Sequence, residues 1–129
     1  MQITLFYAGL LAIWFLVLSV RVIRMRGTAK INLGDGGNEA MLRRIRGHGN
    51  FAEYVPLALV LMAMLELGGL QKTVLHALGA TLLTARLLHG IAFSFTQKWF
   101  VGRFLGTLAT FIVIAVAGGL CVWKGLAGI

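Results

Sequence analysis

Acidic residues and cysteine are scarce in this sequence, and each scarcity limits what the protein can be. Cys121 is the single cysteine and lies in an apolar run, so no intrachain disulfide and no cysteine-based metal site can form. There are 4 acidic residues against 12 Lys and Arg, which gives a formal net charge of +8. Such a charge is typical of nucleic-acid binding, but basic residues also flank membrane helices on the cytoplasmic side. We favour the membrane interpretation and expect no nucleic-acid partner.

Apolar residues, by contrast, are abundant. They make up 59% of the 129 residues, and the mean hydropathy is +0.89. Soluble globular domains contain about 45–50% apolar residues. A chain this short cannot bury so much apolar surface in its own core, so we expect lipid to be its solvent. The length allows a single domain, residues 1–129.

Four segments are long and apolar enough to cross about 30 Å of hydrocarbon as helices. The second begins with a polar half and continues with an apolar half, so it should start in the headgroup layer and then enter lipid. Polar loops at 27–38 and 96–102 separate the first helix from the second and the third from the fourth. The sequence predicts an all-α membrane protein, a four-helix transmembrane bundle with helices at about 3–26, 39–67, 70–95 and 103–126.

Basic residues are distributed unequally between the two ends of the predicted helices. Ten of the 12 lie in or near the loops that follow the first and third helices, and only Lys72 and Lys124 lie at the other end. The ten are Arg21, Arg24, Arg26, Lys30, Arg43, Arg44, Arg46, Arg86, Lys98 and Arg103. Because cytoplasmic loops carry the excess of Lys and Arg, we expect both loops in the cytoplasm and both termini on the non-cytoplasmic side.

A polar stripe marks the first half of the second helix. Arg46, Asn50, Glu53 and Tyr54 are spaced i, i+4, i+7 and i+8, which places them on one helical face. A charge at bilayer depth costs roughly 2.5–3.5 kcal/mol on insertion scales, so these groups need partners or a protein-lined cavity. Pro56 cannot donate to the carbonyl of residue 52 and should loosen the adjacent turn, which favours a pocket there. The spacing alone leaves two interpretations open, a binding site and polar contacts that join helices.

The third helix carries a second stripe, which could face the polar stripe of the second helix. Arg86, His89 and Phe93 are spaced i, i+3 and i+7. No two of the three histidines have the spacing of a metal site, so we expect no bound metal. Glu66 and His76 bracket the short loop between the second and third helices. We expect these two side chains to be solvated or interfacial and assign them no role.

Residues 46–56, Arg-Gly-His-Gly-Asn-Phe-Ala-Glu-Tyr-Val-Pro, resemble the MAPEG family, the membrane-associated proteins in eicosanoid and glutathione metabolism. The family includes microsomal glutathione transferases, leukotriene C synthase and lipoxygenase-activating protein. Five positions of its helix-two pattern match without a gap. The Arg86-Leu-Leu-His89 run and the Arg103-x-x-Gly106-x-x-x-Thr110 pattern are similar to its small bacterial branch. The four-helix layout extends the resemblance to nearly the whole chain.

The resemblance implies a homotrimer that binds glutathione between subunits, near the cytoplasmic face of a bacterial inner membrane. Glutathione has two carboxylates and one ammonium, which suit an arginine and a glutamate respectively. His48 stands where a family glutamine often contributes. The predicted glutathione-binding residues are Arg46, His48, Asn50, Glu53, Tyr54, Arg86 and His89. Glutathione would serve as a co-substrate, and the second partner would be a hydrophobic small molecule or lipid.

Catalysis requires a group that favours the thiolate, because a thiol has a pKa of about 8.5 and the thiolate is the nucleophile. In the synthase-like members an arginine near the start of the fourth helix has this role. The ungapped position here is Phe100, and Arg103 is the nearest candidate for the catalytic residue. A family tyrosine on the third helix is replaced by Phe93.

Three functions are compatible with a membrane chain of this size. The first is a glutathione transferase or peroxidase that acts on lipophilic electrophiles or lipid hydroperoxides, a detoxification activity. The second is a non-catalytic lipid- or ligand-binding scaffold of the same fold, which the replacements at Phe93 and Phe100 favour. The third is a small multidrug transporter, but those proteins carry a glutamate in their first helix and residues 3–20 contain no acid.

Overall fold

The computed structural model describes residues 1–128 and consists of four long helices. They are α1 (Gln2–Ala29), α2 (Glu39–Leu67), α3 (Lys72–Ser94) and α4 (Phe100–Ala127). Each is long and apolar enough to cross a membrane. The predicted all-α bundle of four membrane-spanning helices is therefore confirmed.

The helix ends differ from the predicted bounds mainly at the two polar loops. Helix α1 continues to Ala29, where Lys30 adopts a left-handed conformation with φ 54° and ends the helix. Helix α4 begins at Phe100, so residues 100–102, expected in the loop, form its first turn. Helix α3 is shorter than expected and covers Lys72–Ser94.

The start of α2 is fixed by its own side chains. Asn38 is the N-cap, and its side-chain oxygen accepts a hydrogen bond from the backbone N–H of Met41 at 3.0 Å. This contact satisfies one of the free N–H groups in the first turn. The preceding loop turns through Gly34, Gly36 and Gly37, whose φ angles of 59–73° suit glycine.

Helices α2 and α3 form the centre of the bundle. Each contacts the other three helices, whereas α1 and α4 lie on opposite sides of the α2–α3 pair and do not touch each other within residues 1–128. Helices α3 and α4 approach each other closely at Gly106. A Cβ atom added there would lie 2.6 Å from the carbonyl oxygen of Ala85 and 2.9 Å from the backbone nitrogen of His89. Gly90 similarly makes room for the indole of Trp14 on α1.

Polar side chains anchor α1 at both of its ends. At its first turn, the carboxylate of Glu66 accepts hydrogen bonds from the backbone N–H groups of Ile3 at 3.0 Å and Thr4 at 2.8 Å. At its last turns, Arg21 donates from Nε to the carbonyl oxygen of Ser94 at 3.1 Å, and its guanidinium lies over the ring of Phe95. Both contacts pair a charge with the helix end of opposite partial charge.

The position of Glu66 corrects an expectation from the sequence. Its side chain is 11% exposed and bonded to α1, so it is not a solvated loop residue. The sequence could not reveal this role, because the N–H groups that Glu66 satisfies belong to another helix. His76, by contrast, is exposed, and its Nδ1 lies 3.2 Å from the hydroxyl oxygen of Tyr7.

Contacts between α1 and the other helices bring the loops after α1 and α3 to one end of the bundle, called here the basic end. Arg86 does not belong to it. Its carbonyl oxygen accepts a hydrogen bond from Trp14 Nε1 at 3.0 Å, and Trp14 lies at the middle of α1. The expectation that grouped Arg86 with the loop residues is therefore wrong. The other nine basic residues of that group lie near this end.

Candidate functional site

A polar groove of about 530 Å³ opens at the basic end between α2, α3 and α4. Four residues predicted from the sequence line it: Arg46, Asn50, His89 and Arg103. The other lining residues are Glu39, Leu42, Arg43, Phe93, Gln97 and Thr107. Ligand pockets in proteins commonly measure about 300–1,000 Å³, so the groove has room for a small molecule.

Helical periodicity explains how three helices build one groove. Each contributes a pair of side chains one turn apart: Arg46 and Asn50 from α2, His89 and Phe93 from α3, and Arg103 and Thr107 from α4. Residues at i and i+4 share a helical face. The pairs therefore point into the same space once the three helices pack together.

Arg103 lies against the aromatic wall of the groove. Its Cζ atom is 5.0 Å from the centroid of the Phe93 ring, within the range of a cation–π contact. The Arg103 side chain belongs to an exposed residue at the start of α4. The guanidinium is therefore held over the Phe93 ring while it remains accessible to a ligand.

Arg46 and Glu53 are close but do not neutralise each other strongly. Arg46 Nη1 and Glu53 Oε1 are 4.0 Å apart, and the side chains are 58% and 53% exposed. Exposed ion pairs at such a distance contribute little, because water screens them and two long side chains must be held in place. Both charges can therefore accept a new partner.

Behind the groove, Arg86 is one of the most deeply buried side chains. The residue is 1% exposed, and its Nη1 donates a hydrogen bond to Asn50 Oδ1 at 3.0 Å. Its Nε and Nη2 atoms have no hydrogen-bond partner among residues 1–128. Arg86 does not line the groove itself but contacts Asn50, which does, and its predicted contact with glutathione stays a prediction.

Three other predicted site residues lie outside this groove. His48 faces α1, where its Nε2 lies 3.1 Å from Ser19 Oγ and its ring stacks on Phe15 at 4.6 Å. Tyr54 packs against Phe111 of α4, with ring centroids 5.3 Å apart. Glu53 is exposed on the outward side of α2. The structure therefore joins part of the predicted stripe to the groove and leaves His48 on another face.

Some lining residues were not predicted. Arg43 precedes Arg46 and Asn50 at spacings that put all three on one face, so helical periodicity could have identified it. Gln97 comes from the loop after α3, where no periodic signal exists. A smaller cavity of about 290 Å³ shares Arg43, Gln97 and Arg103 with the groove and extends it towards Trp99.

Pro56 borders a cavity other than the polar groove. Helix α2 is continuous through Pro56, and this residue lines an apolar cavity of about 310 Å³ between α1 and α2. That cavity includes Phe15 and Phe51 and lies away from the polar groove. The cavity at Pro56 is thus apolar and includes neither Asn50 nor Glu53, so Pro56 does not form the pocket expected beside the polar stripe.

No group of three His, Cys, Asp or Glu side chains with metal-binding geometry occurs among residues 1–128. The donors and acceptors of the groove instead suit an organic ligand with anionic groups. Three guanidinium groups, from Arg43, Arg46 and Arg103, point to carboxylates, which arginine binds with charge-assisted hydrogen bonds.

Comparison with known proteins identifies relatives of this chain. Residues 4–123 match the model of the MAPEG family. Inner membrane protein YecN of Escherichia coli K12 and its counterpart in Escherichia coli O6:H1 are each 35% identical over 113 residues, which is 88% of this chain and 85% of the relative. No solved structure gives a significant match. Together with the four candidate spans, these relatives make the chain a multi-pass protein of a bacterial inner membrane.

Proposed function

Since this chain belongs to the MAPEG family, as residues 46–56 predict, we propose that it binds glutathione in the polar groove and transfers it to lipophilic electrophiles. The observation that carries the proposal is the convergence of Arg46, Asn50, His89 and Arg103 from three helices on one groove at the basic end.

The charges around the groove complement those of glutathione. The tripeptide carries two carboxylates, and the groove offers Arg43 and Arg46 to hold them, which leaves Arg103 for the thiol. It also carries one ammonium, and Glu53 lies within reach of Arg46 on the same side of α2. Asn50 and Gln97 provide amide groups that can pair with the peptide bonds of the ligand.

The exposure of Arg46 and Glu53 supports assembly with further copies of the chain. Both side chains are more than half exposed on the outward surface of α2. Glu53 is a single helical turn beyond Asn50, and Asn50 pairs with Arg86 at the depth of the middle of α1. A charge facing lipid at this depth is unfavourable, whereas a neighbouring subunit can cover it. Since the family resemblance implies a homotrimer, we propose that the chain assembles as one, with the groove at the subunit boundary.

Arg103 is the proposed catalytic residue. A guanidinium beside the glutathione sulfur favours the thiolate and so lowers the pKa of the thiol. The thiolate would displace the leaving group from an electrophilic carbon of a lipophilic substrate that reaches the groove from the bilayer. With a lipid hydroperoxide it would attack the terminal oxygen and break the O–O bond, which releases the lipid alcohol and leaves a sulfenic acid on glutathione. A second glutathione would reduce that sulfenic acid, giving glutathione disulfide and water. The contact of Arg103 with Phe93 holds the cation on one side of the groove.

A second function follows from the same contact. Phe93 stands where the resembling family has a tyrosine, so the groove has no phenol hydroxyl at this position to orient the thiol. A protein that binds glutathione or another small anionic ligand without turnover would have this composition. Binding and turnover must therefore be measured separately.

Calorimetry on the purified protein in detergent tests binding. We expect glutathione to bind the wild type, and Arg46→Ala and Glu53→Ala each to weaken binding by about tenfold or more, because each removes a charge-assisted contact. Lys72→Ala is the control, because it removes a positive charge at the opposite end of the bundle. Absence of binding to the wild type would overturn the proposal.

Turnover is tested with glutathione and chlorodinitrobenzene or a lipid hydroperoxide. We expect product formation above a detergent blank and its loss in Arg103→Ala, with glutathione still bound. Binding without turnover across a panel of electrophiles would establish the non-catalytic function instead.

A further inference from the structure

The hydrogen bond between Arg86 and Asn50 determines which end of the Asn50 amide faces the groove. A guanidinium only donates hydrogen bonds, and an amide side chain has an accepting oxygen and a donating nitrogen. Because Arg86 Nη1 lies 3.0 Å from Asn50 Oδ1, the oxygen is directed at Arg86. The opposite group, the NH2 of Asn50, is left for the groove that Asn50 lines.

We propose that Arg86 is a positioning residue that fixes Asn50 as a hydrogen-bond donor and so selects ligands with an anionic acceptor, a carboxylate, at this point of the groove. The inference rests on the proposed glutathione site and adds a specificity determinant to it. Asn50 touches the ligand, and Arg86 acts through Asn50.

The charge of Arg86 reinforces this selectivity. The residue is 1% exposed at the depth of Trp14, the middle of α1, and none of the described acidic side chains forms an ion pair with it. Two of its nitrogens, Nε and Nη2, lack hydrogen-bond partners among residues 1–128. An uncompensated charge in a medium of low dielectric acts over a longer range than one in water. It therefore favours an anion on the far side of Asn50 and disfavours a cation.

A structural role is the alternative explanation of the contact. Arg86 also approaches the backbone oxygen of Asn50, at 3.5 Å, and the two bonds join α3 to α2. If joining helices were the only purpose, a stronger bond at this position should leave ligand binding unchanged. If the contact serves to orient the Asn50 amide, the same change should abolish the preference for carboxylates.

Asn50→Asp separates the two roles, because aspartate has nearly the shape of asparagine. It replaces the amide nitrogen with an oxygen and gives Arg86 an anionic partner, so the fold should be as stable as the wild type or more stable. The groove, however, loses a donor and gains a negative charge. We expect affinity for glutathione to fall by about tenfold or more, with an unchanged or higher midpoint of thermal unfolding.

Arg86→Met is the second variant, since methionine fills much of the volume without a charge or donor. The change removes a buried charge and leaves behind only the neutral Asn50 side chain, which lines the groove and can bond to water there, so the variant should fold. Its Asn50 amide can then rotate freely. We expect weaker glutathione binding by a few-fold, and Arg86→Lys, which keeps the charge and a donor, should recover part of the loss.

Calorimetry with glutathione and with its dimethyl ester completes the test. The wild type should prefer the free acid, and Asn50→Asp and Arg86→Met should reduce that preference, while thermal unfolding stays at or above the wild-type midpoint. No binding of either compound to the wild type would overturn the proposed function, and this inference with it. Normal wild-type binding, with the acid-to-ester preference unchanged in both variants, would overturn the inference alone.

Discussion

The guanidinium carbon of Arg103 lies 5.0 Å from the centre of the Phe93 ring, so the cation lies over the aromatic ring on one side of the groove. In the proposed glutathione site, this contact would hold the positive charge beside the ligand thiol. The Phe93 ring has no hydroxyl group that could donate a hydrogen bond to the sulfur.

The first prediction concerns Phe93→Tyr. The added hydroxyl would extend the ring that lines the groove beside Arg103 and could donate to a thiolate. We expect a several-fold higher rate of glutathione conjugation and little change in glutathione affinity, because the new bond is strongest to the charged sulfur. Steady-state kinetics of the purified variant check this. Phe104→Tyr is the control, because Phe104 is an exposed aromatic residue of α4 that lines neither the groove nor its smaller extension. An equal gain in both variants would contradict the prediction.

A second prediction concerns the tight packing of α3 and α4. Gly106→Ala introduces a methyl group 2.6 Å from the carbonyl oxygen of Ala85, and a backbone atom cannot move away as a flexible side chain can. We expect the variant to be destabilised by about 1–3 kcal/mol. Thermal unfolding in detergent measures the effect. Gly118→Ala, on the same helix with no atom within 4 Å of the added methyl group, should unfold at or slightly above the wild-type temperature.

Glu66 gives a third prediction. Glu66→Gln keeps the shape of the side chain but loses the charge that the two N–H groups of Ile3 and Thr4 face. We expect a loss of about 1–2 kcal/mol, comparable to removal of a helix cap. The same unfolding measurement checks it. Glu39→Gln is the comparison, because Glu39 is 85% exposed and pairs only with Arg43 one turn away, so its loss should be within about 0.5 kcal/mol. Equal effects in the two variants would argue against a capping role.

A fourth prediction concerns the other anchor of α1. Arg21→Met removes the hydrogen bonds to the Ser94 carbonyl and the contact with Phe95, while it preserves much of the apolar stem. We expect destabilisation of about 1–3 kcal/mol, since the carbonyl at the end of α3 loses a charged donor. Arg24→Met is the control, because Arg24 is an exposed residue on the same helix. Hydrogen exchange at the end of α3 should rise in Arg21→Met and stay unchanged in Arg24→Met.

The sequence predicted the four spans because the alternation of apolar runs and polar loops is a local property. It also predicted the Arg46–Asn50 pair, since one helix places both residues on one face. His48 does not lie on that face. It stands two positions after Arg46, which turns it well away from that face, and the structure indeed directs it at α1.

Other features could not be predicted because they depend on contacts between distant parts of the chain. The sequence groups Arg86 with the basic residues in or near the loops. Only the packing of α3 against Trp14 and Asn50 shows that it is buried in the middle of the bundle. Glu66 resembles a loop residue until the first turn of α1 is placed beside it. In both cases periodicity indicates a helix, but not which neighbour each face meets.

The two anchors of α1 have a consequence for how the protein is made. Glu66 lies 62 positions after Thr4, and Ser94 lies 73 positions after Arg21. When the ribosome delivers α1 to the bilayer, neither partner has yet been synthesised. Helix α1 must therefore enter the membrane on its apolar character alone, before either anchor contact can form. Both anchor contacts can form only after α3 has also entered the membrane. Helix α1 is therefore the first helix to be synthesised, but it is not fixed in position until α3 is present.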